Sequence, residues 1–260
     1  LFAPYFIAQT ENFWTKKVQS AFNVRESLGL TENPTTNMYR LMHAEGDGVP
    51  GLIIDFYNGT AVIQAHTISI YNNISFIVEA LKKVYGEKII AIYNKSAESL
   101  AKQTDLKVEN EYVFQNGEVN LIGTEYDCDF NLDWINGQKT GFFLDQRENR
   151  KLIGEFSNKK KVLNTFCYSG GFSISALKAG AKEVHSVDSS QKAIDLTDAN
   201  VKLNKLKKHK SFTSDTLDYL KDNTIDYDVI ILDPPAYAKN KKAKHNAVQG
   251  YKRLNAMALK

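Results

Sequence analysis

Three short segments bring together the residue types from which a chemical site could be built. Lys161-Val-Leu-Asn-Thr-Phe-Cys-Tyr-Ser-Gly-Gly-Phe-Ser173 reads as a buried strand that runs into a tight glycine turn and then a helix. Asp188 closes a second apolar strand, Glu183-Val-His-Ser-Val-Asp188, and lies 18 residues after Gly170. Tyr227-Asp-Val-Ile-Ile-Leu-Asp-Pro-Pro-Ala-Tyr237 is a third such strand and ends in Asp-Pro-Pro. A glycine turn after a first strand, with an acid at the end of the second, is how a doubly wound sheet holds an adenosine-containing molecule. The helix start offers free amides, and the carboxylate can accept two hydrogen bonds from a ribose diol.

The glycine turn departs from the dinucleotide fingerprint. Only Gly170 and Gly171 are present, and bulky Tyr168 precedes them. A pyrophosphate would find little room there, whereas a compact amino-acid moiety would fit. The loop makes Phe166, Cys167, Tyr168 and Gly170 candidate cofactor contacts, although an ordinary strand-to-helix turn could look the same. Asp188 is the expected ribose partner, and Ser189 beside it could cap the next helix. Asp215 and Thr216 follow a further strand where an adenine would lie, a position that a simple helix cap explains equally well. Asp233-Pro-Pro is the sharpest of these signals. Two prolines force an extended, rigid turn without amide donors. That turn projects the Asp233 side chain and the Pro234 carbonyl into the crevice, where Tyr237 could stack on an extruded base. Asp233, Pro234 and Tyr237 are the catalytic candidates, and Asp233 also borders the cofactor. Together the segments point to a methyl donor, S-adenosylmethionine, and no zinc spacing of Cys and His is present. Lys139-Thr-Gly-Phe-Phe-Leu-Asp-Gln-Arg147 adds Lys139, Thr140 and Phe142 as candidates whose aromatic faces would suit a cofactor methionine; a hydrophobic staple onto the sheet is the competing reading.

The elements that must position these residues follow from the periodicity. From residue 159 onward the order is strand Val162 to Phe166, helix Gly171 to Ala179, strand Val184 to Asp188, helix Gln191 to Leu206, strand Ser211 to Ser214, helix Thr216 to Lys221, strand Val229 to Asp233 and helix Gly250 to Leu259. Such alternation predicts βαβ units and a parallel, Rossmann-like sheet. The pattern stops after a fourth strand, so the sheet reads as cut short at Lys260. Upstream, Glu11 to Leu28 has helical spacing, and residues 39–66 read as a strand followed by a hairpin with an Asn58-Gly59 turn. Ile74 to Tyr85 is an amphipathic helix, Lys88 to Tyr93 a strand, and a further hairpin is expected around Asn116-Gly117 and Gly123. The fold class is thus α/β preceded by a small α+β domain. The expected divisions are residues 1–38 as a helix or linker, 39–135 as the α+β domain and 136–260 as the Rossmann-like domain.

The chain of 260 residues has 43% hydrophobic and 24% charged residues, which supports a packed core. Two cysteines, Cys128 and Cys167, exclude a disulfide framework, and a cytoplasmic setting is the expectation. No apolar run is long enough to span a bilayer, and the first residues lack the pattern of a secretory signal. They also lack a starting Met, which suggests a piece of a longer product. The net charge of +3 hides an asymmetry: residues 151–260 carry +9 and residues 1–150 carry −6. Basic runs at Lys159 to Lys161, Lys205 to Lys210 and Lys239 to His245 suit a polyanion, or simply a solvated surface.

With these residues in hand the chain resembles the class I S-adenosylmethionine-dependent cytosine-C5 methyltransferases of large-subunit (23S) ribosomal RNA. The matching pieces are Tyr39 to Asp55, Gly137 to Arg147, Asn164 to Ser173, Asp233 to Tyr237 and Gly250 to Asn255. The resemblance implies S-adenosylmethionine as cofactor, ribosomal RNA as partner and, often, an RNA-binding PUA domain at the amino end; residues 1–38 are too short for one and would be at most its remnant. It also implies a cysteine nucleophile. A thiolate adds to C6 of the cytosine, C5 takes the methyl group, and a base then removes the C5 proton as the thiolate leaves. In the family that cysteine is expected on a later strand, beyond Lys260. The alternatives are an amino-group methyltransferase acting on N6 of adenine or N2 of guanine, a nicotinamide-dependent dehydrogenase, and a catalytically silent RNA-binding relative. Hairpin edges in the α+β domain could pair two copies into a homodimer. No membrane partner is expected.

Overall fold

The fold is described from a computed structural model covering residues 10–101, 107–222, 226–238 and 244–259. The chain divides into two compact units. The first comprises residues 1–127 and 132–144, the second residues 128–131 and 145–260. The division therefore falls after Leu144 rather than after residue 135.

The first unit begins with α1 (Glu11–Ser27), whose start is capped by the Thr10 hydroxyl accepting from the Phe13 amide. Strands β1 (Met38–His43), β2 (Leu52–Tyr57) and β3 (Thr60–Ala65) follow, then the short α2 (Ile68–Tyr71), α3 (Ile74–Tyr85), β4 (Ala91–Asn94), the short α4 (Ala97–Leu100), β5 (Glu111–Gln115) and β6 (Ile122–Glu125). The first five strands form one sheet in sequence order, antiparallel except for the β3–β4 pair. α1 is an integral part of this unit and not a linker. Its Phe13, Trp14, Val18 and Ala21 enter the core beside Ile77, Leu81 and Tyr85, and the Trp14 indole donates to Asn73 Oδ1 at 3.1 Å. The expected hairpin forms about Gly123 and not across Asn116-Gly117. β5 pairs antiparallel with β4 at the open sheet edge, and Gly123 lies within β6.

The second unit comprises β7 (Cys128–Asn131), α5 (Arg147–Ser157), β8 (Lys161–Thr165), α6 (Gly171–Lys178), β9 (Glu183–Asp188), α7 (Gln191–Leu203), β10 (His209–Thr213), α8 (Thr216–Asp222), β11 (Val229–Leu232) and α9 (Lys244–Ala258). Four strands make a parallel sheet in the order β10-β9-β8-β11. The alternation of side chains gives the sheet two covered faces. Leu163 and Val187 pack with Tyr219 of α8 on one face. On the other, Asn164 Nδ2 donates to Ser173 Oγ of α6 at 2.8 Å, and Ser173 and Ser186 hydroxyls lie 2.7 Å apart. The chain turns outward from β8 in both directions, so the switch point of this doubly wound sheet lies between β8 and β11.

Candidate active site

The carboxyl ends of β8, β9 and β11 position the site of the second unit. After Thr165 the backbone enters the left-handed region at Phe166 (φ 54°), Tyr168 (φ 49°) and Gly170 (φ 74°). A non-glycine residue is uncommon there, so two of them in one five-residue loop mark a strained turn held by its surroundings. α7 supplies much of the restraint. Thr197 Oγ1 donates to the Tyr168 carbonyl at 3.0 Å, and Asn200 Nδ2 donates to the Ser169 carbonyl at 2.8 Å. Gly170 is required twice over, by its positive φ and by space. A Cβ on it would stand 2.6 Å from Thr197 Cγ2. A Cβ on Gly171 would stand 2.8 Å from Cδ of the buried Arg150.

Asp188 ties the loop to the neighbouring strand. Its Oδ2 accepts the Tyr168 amide at 3.1 Å, and its Oδ1 accepts the Ser190 amide at 2.9 Å. A carboxylate has roughly four lone-pair positions, so about two remain for hydroxyls of a bound diol. The side chain is half-buried and reaches solvent at the loop's mouth.

The other candidate residues have the following settings, and the cap of α7 differs from the expected one. Cys167 turns its side chain inward, with Sγ 3.5 Å from Thr197 Oγ1, and burial pushes its thiol pKa up to about 12. It anchors the loop and presents no thiolate. Ser190, not Ser189, caps α7, its hydroxyl accepting the Ala193 amide at 3.4 Å, while Ser189 is exposed. Asp215 caps α8 by accepting the Leu217 and Asp218 amides at 2.8 and 3.2 Å, and Thr216 is buried in the first turn. Lys139, Thr140 and Phe142 belong to the first unit. There Thr140 Oγ1 donates to Asp55 Oδ2 at 2.6 Å and lies 3.0 Å from the Tyr57 hydroxyl, and Arg40 pairs with both Asp55 oxygens at 2.8 and 2.9 Å. Thr140 and Phe142 are buried and Lys139 is exposed.

Asp233 stands at the end of β11, next to β8 in the sheet. Partial desolvation, and then the like charge of Asp145, hold its carboxyl above the ordinary value. Tyr237 is half-buried against α9. Its ring centroid is 4.6 Å from that of Tyr251, and its amide donates to the Tyr251 hydroxyl at 3.4 Å. One side of the ring is thus already covered. Most of the basic run Lys239 to His245 lies outside the described residues. Sequence reasoning missed Asp145, Thr197, Asn200 and Arg150. Asp145 lay inside a segment already singled out, whereas Thr197 and Asn200, one helical turn apart on α7, gave no local signal.

The fold is a doubly wound parallel sheet with a restrained glycine loop at its switch point, the architecture of nucleotide-binding proteins. The profile of a family described as S-adenosylmethionine-dependent methyltransferase matches residues 110–258. The chain belongs to that family. It is 34% identical over 254 residues to the ribosomal RNA large subunit methyltransferase I of Erwinia tasmaniensis, covering 95% of this chain and 63% of the relative. The Escherichia coli protein of the same name is 35% identical over 255 residues, again 95% and 63%. Among solved structures, SMU.776, described as a candidate methyltransferase complexed with SAH, superposes with a TM-score of 0.82 at 26% identity, covering 98% of this chain and 67% of that one. The chain thus spans a little under two thirds of the length of the curated relatives it matches.

Proposed function

We propose that this chain binds S-adenosylmethionine at the Phe166–Gly170 loop and directs its methyl group to a base of ribosomal RNA, with C5 of a cytosine in large-subunit RNA as the target. The observation that carries the reading is the pairing across the switch point. The Asp188-braced loop ends β8, and Asp233-Pro234-Pro235 ends its neighbour β11. The names of the relatives support ribosomal RNA as substrate, and the SAH in the structural neighbour supports the cofactor. Ribosomal RNA as substrate would place the work in the cytoplasm.

The residues fit the cofactor. Asp188 has lone pairs left for a ribose diol, and Gly170 lets the loop pack tightly on Thr197 of α7, where a side chain would collide. When bound, S-adenosylmethionine supplies an electrophilic methyl group on a sulfonium. The chain's own part is positioning. The proline pair fixes Asp233 and the Pro234 carbonyl as acceptors without a competing amide. Tyr237, whose ring is partly exposed, would stack on an extruded base. Neither cysteine can activate C6 of a cytosine, since Cys128 and Cys167 are both buried. The C5 reading therefore requires a cysteine that these 260 residues do not supply.

The test incubates the gene's full product with labelled S-adenosylmethionine and unmodified large-subunit ribosomal RNA, and identifies the labelled nucleoside by mass spectrometry. Labelled 5-methylcytidine is expected. A labelled N-methylpurine would replace the C5 reading with amino-group transfer, and the absence of label in that RNA would overturn the substrate.

A further inference from the structure

Two basic runs that are separate in the sequence meet at one end of the parallel sheet. In a parallel sheet every helix-to-strand loop lies at the amino end, opposite the crevice. Here the loop before β8 carries Lys159 and Lys160, the loop before β9 carries Lys182, and the loop before β10 carries Lys205, Lys207 and Lys208, all exposed. Backbone hydrogen bonds join these loops. The Lys159 amide donates to the Gly180 carbonyl at 2.9 Å, the Lys182 amide to the Lys160 carbonyl at 2.7 Å, and the Val184 amide to the Lys208 carbonyl at 3.0 Å. The acids at this rim are fewer. Glu183 pairs with Lys210 at 2.7 Å, Asp228 with Lys160 at 3.5 Å, and Asp222 and Asp226 also lie at this rim, between α8 and β11.

The lysines also occupy backbone positions where glycine would be easier. Helices α5, α6 and α7 each end in a left-handed residue just past the cap. α6 uses Gly180 (φ 91°), as that conformation favours, but α5 uses Lys159 (φ 60°) and α7 uses Lys205 (φ 54°). Lys208 is a third left-handed lysine (φ 66°). A cation at a helix's carboxyl end gains from the dipole, which accounts for part of the choice at Lys159 and Lys205. Lys208 lies beyond the last turn and receives no such help.

We infer that this rim is a docking surface for the phosphate backbone of RNA, separate from the crevice where the base is taken. The ligand class rests on the substrate reading above; the location rests on the fold. Strands of five residues put the rim roughly 16 Å from the crevice, a gap that a folded RNA readily spans. Its lysines act as point charges on phosphates and would read no sequence.

The test measures binding of in vitro transcribed, unmodified large-subunit ribosomal RNA by filter retention across a salt series. The variants are Lys182→Gln/Lys207→Gln/Lys208→Gln and, as a matched charge control in the first unit, Lys16→Gln/Lys83→Gln/Lys107→Gln. Calorimetric SAH binding reports that the sheet is folded. Each lost phosphate contact should reduce the salt slope by about 0.7–0.9. The rim variant should therefore bind at least about tenfold more weakly near physiological salt, with a slope shallower by roughly two, while the control stays within about threefold. A milder Lys205→Gln/Lys207→Gln variant should fall between them, which covers the case of a misfolded triple. A rim variant that retains SAH binding and binds RNA like the parent, or a parent that binds no RNA, overturns the inference. RNA held through the rim without methyl transfer would sustain the surface and remove only the catalytic reading.

Discussion

The Asp188 carboxylate accepts the amide of Tyr168 at 3.1 Å although 20 residues separate them. That bond joins the ends of two parallel strands and holds a loop whose backbone is left-handed at Phe166 and Tyr168. The strained loop and the acid at the next strand are thus one structure, restrained from behind by Thr197 and Asn200.

Gly170→Ala should be among the most damaging small substitutions in the second unit. The new methyl meets Thr197 Cγ2 in a left-handed backbone, and the two effects together should cost about 2–4 kcal/mol. Adding Thr197→Ser removes the colliding methyl and keeps the hydroxyl that donates to Tyr168. Thermal denaturation should show partial recovery in the double variant. No recovery would mean that the collision is not the source of the loss.

Asp233→Asn separates function from stability. The native carboxyl has a raised pKa, so the folded state disfavours its charged form relative to the unfolded chain. That penalty is absent below the ordinary carboxylate pKa and fully present above the raised one. The variant should therefore melt no lower than the parent at neutral pH, and the difference should vanish as pH falls below about 4. Methyl transfer should drop in the same variant. A variant that melts lower at neutral pH while keeping activity would contradict both halves.

Cys167 should behave as an inert core thiol. With a pKa near 12 it is protonated at neutral pH, and thiol-alkylating reagents should modify it only in denaturant. Cys167→Ser should leave methyl transfer on RNA within a few-fold of the parent. Loss of several orders of magnitude, without loss of SAH binding, would instead make it the nucleophile.

In the first unit, Asp55→Ala removes the fully buried acceptor of Arg40 and Thr140, and should destabilise by about 3 kcal/mol. Thr140→Val should be strongly non-additive with it, because both changes break one network. Urea denaturation of the two single variants and the double variant measures this coupling, and simple additivity would show that the hydroxyl contributes independently.

The parallel sheet was legible because each strand and helix of the second unit carries its own period and its own punctuation. Asp188 was legible for the same reason, since a fixed spacing from Gly170 in a βαβ unit leaves its position little freedom. Thr197, Asn200 and Arg150 were not, because nothing in their local sequence records that α7 and α5 lie behind the loop. Thr140 was legible only as a hydroxyl in a polar-aromatic segment; the fold alone reveals Asp55 and Tyr57 against it. Asn116-Gly117 gave a real turn signal, yet a turn does not choose a partner, and β5 found the open edge of β4.

The most direct measurement is calorimetric titration of the chain and of Asp188→Ala with SAH. The parent should bind at one site, and the variant, having lost the acceptor of the Tyr168 and Ser190 amides and of the proposed ribose contact, should bind on the order of 100-fold more weakly or not at all. A parent without measurable affinity, or a folded variant that binds as tightly as the parent, would contradict the assignment of this loop as the cofactor site.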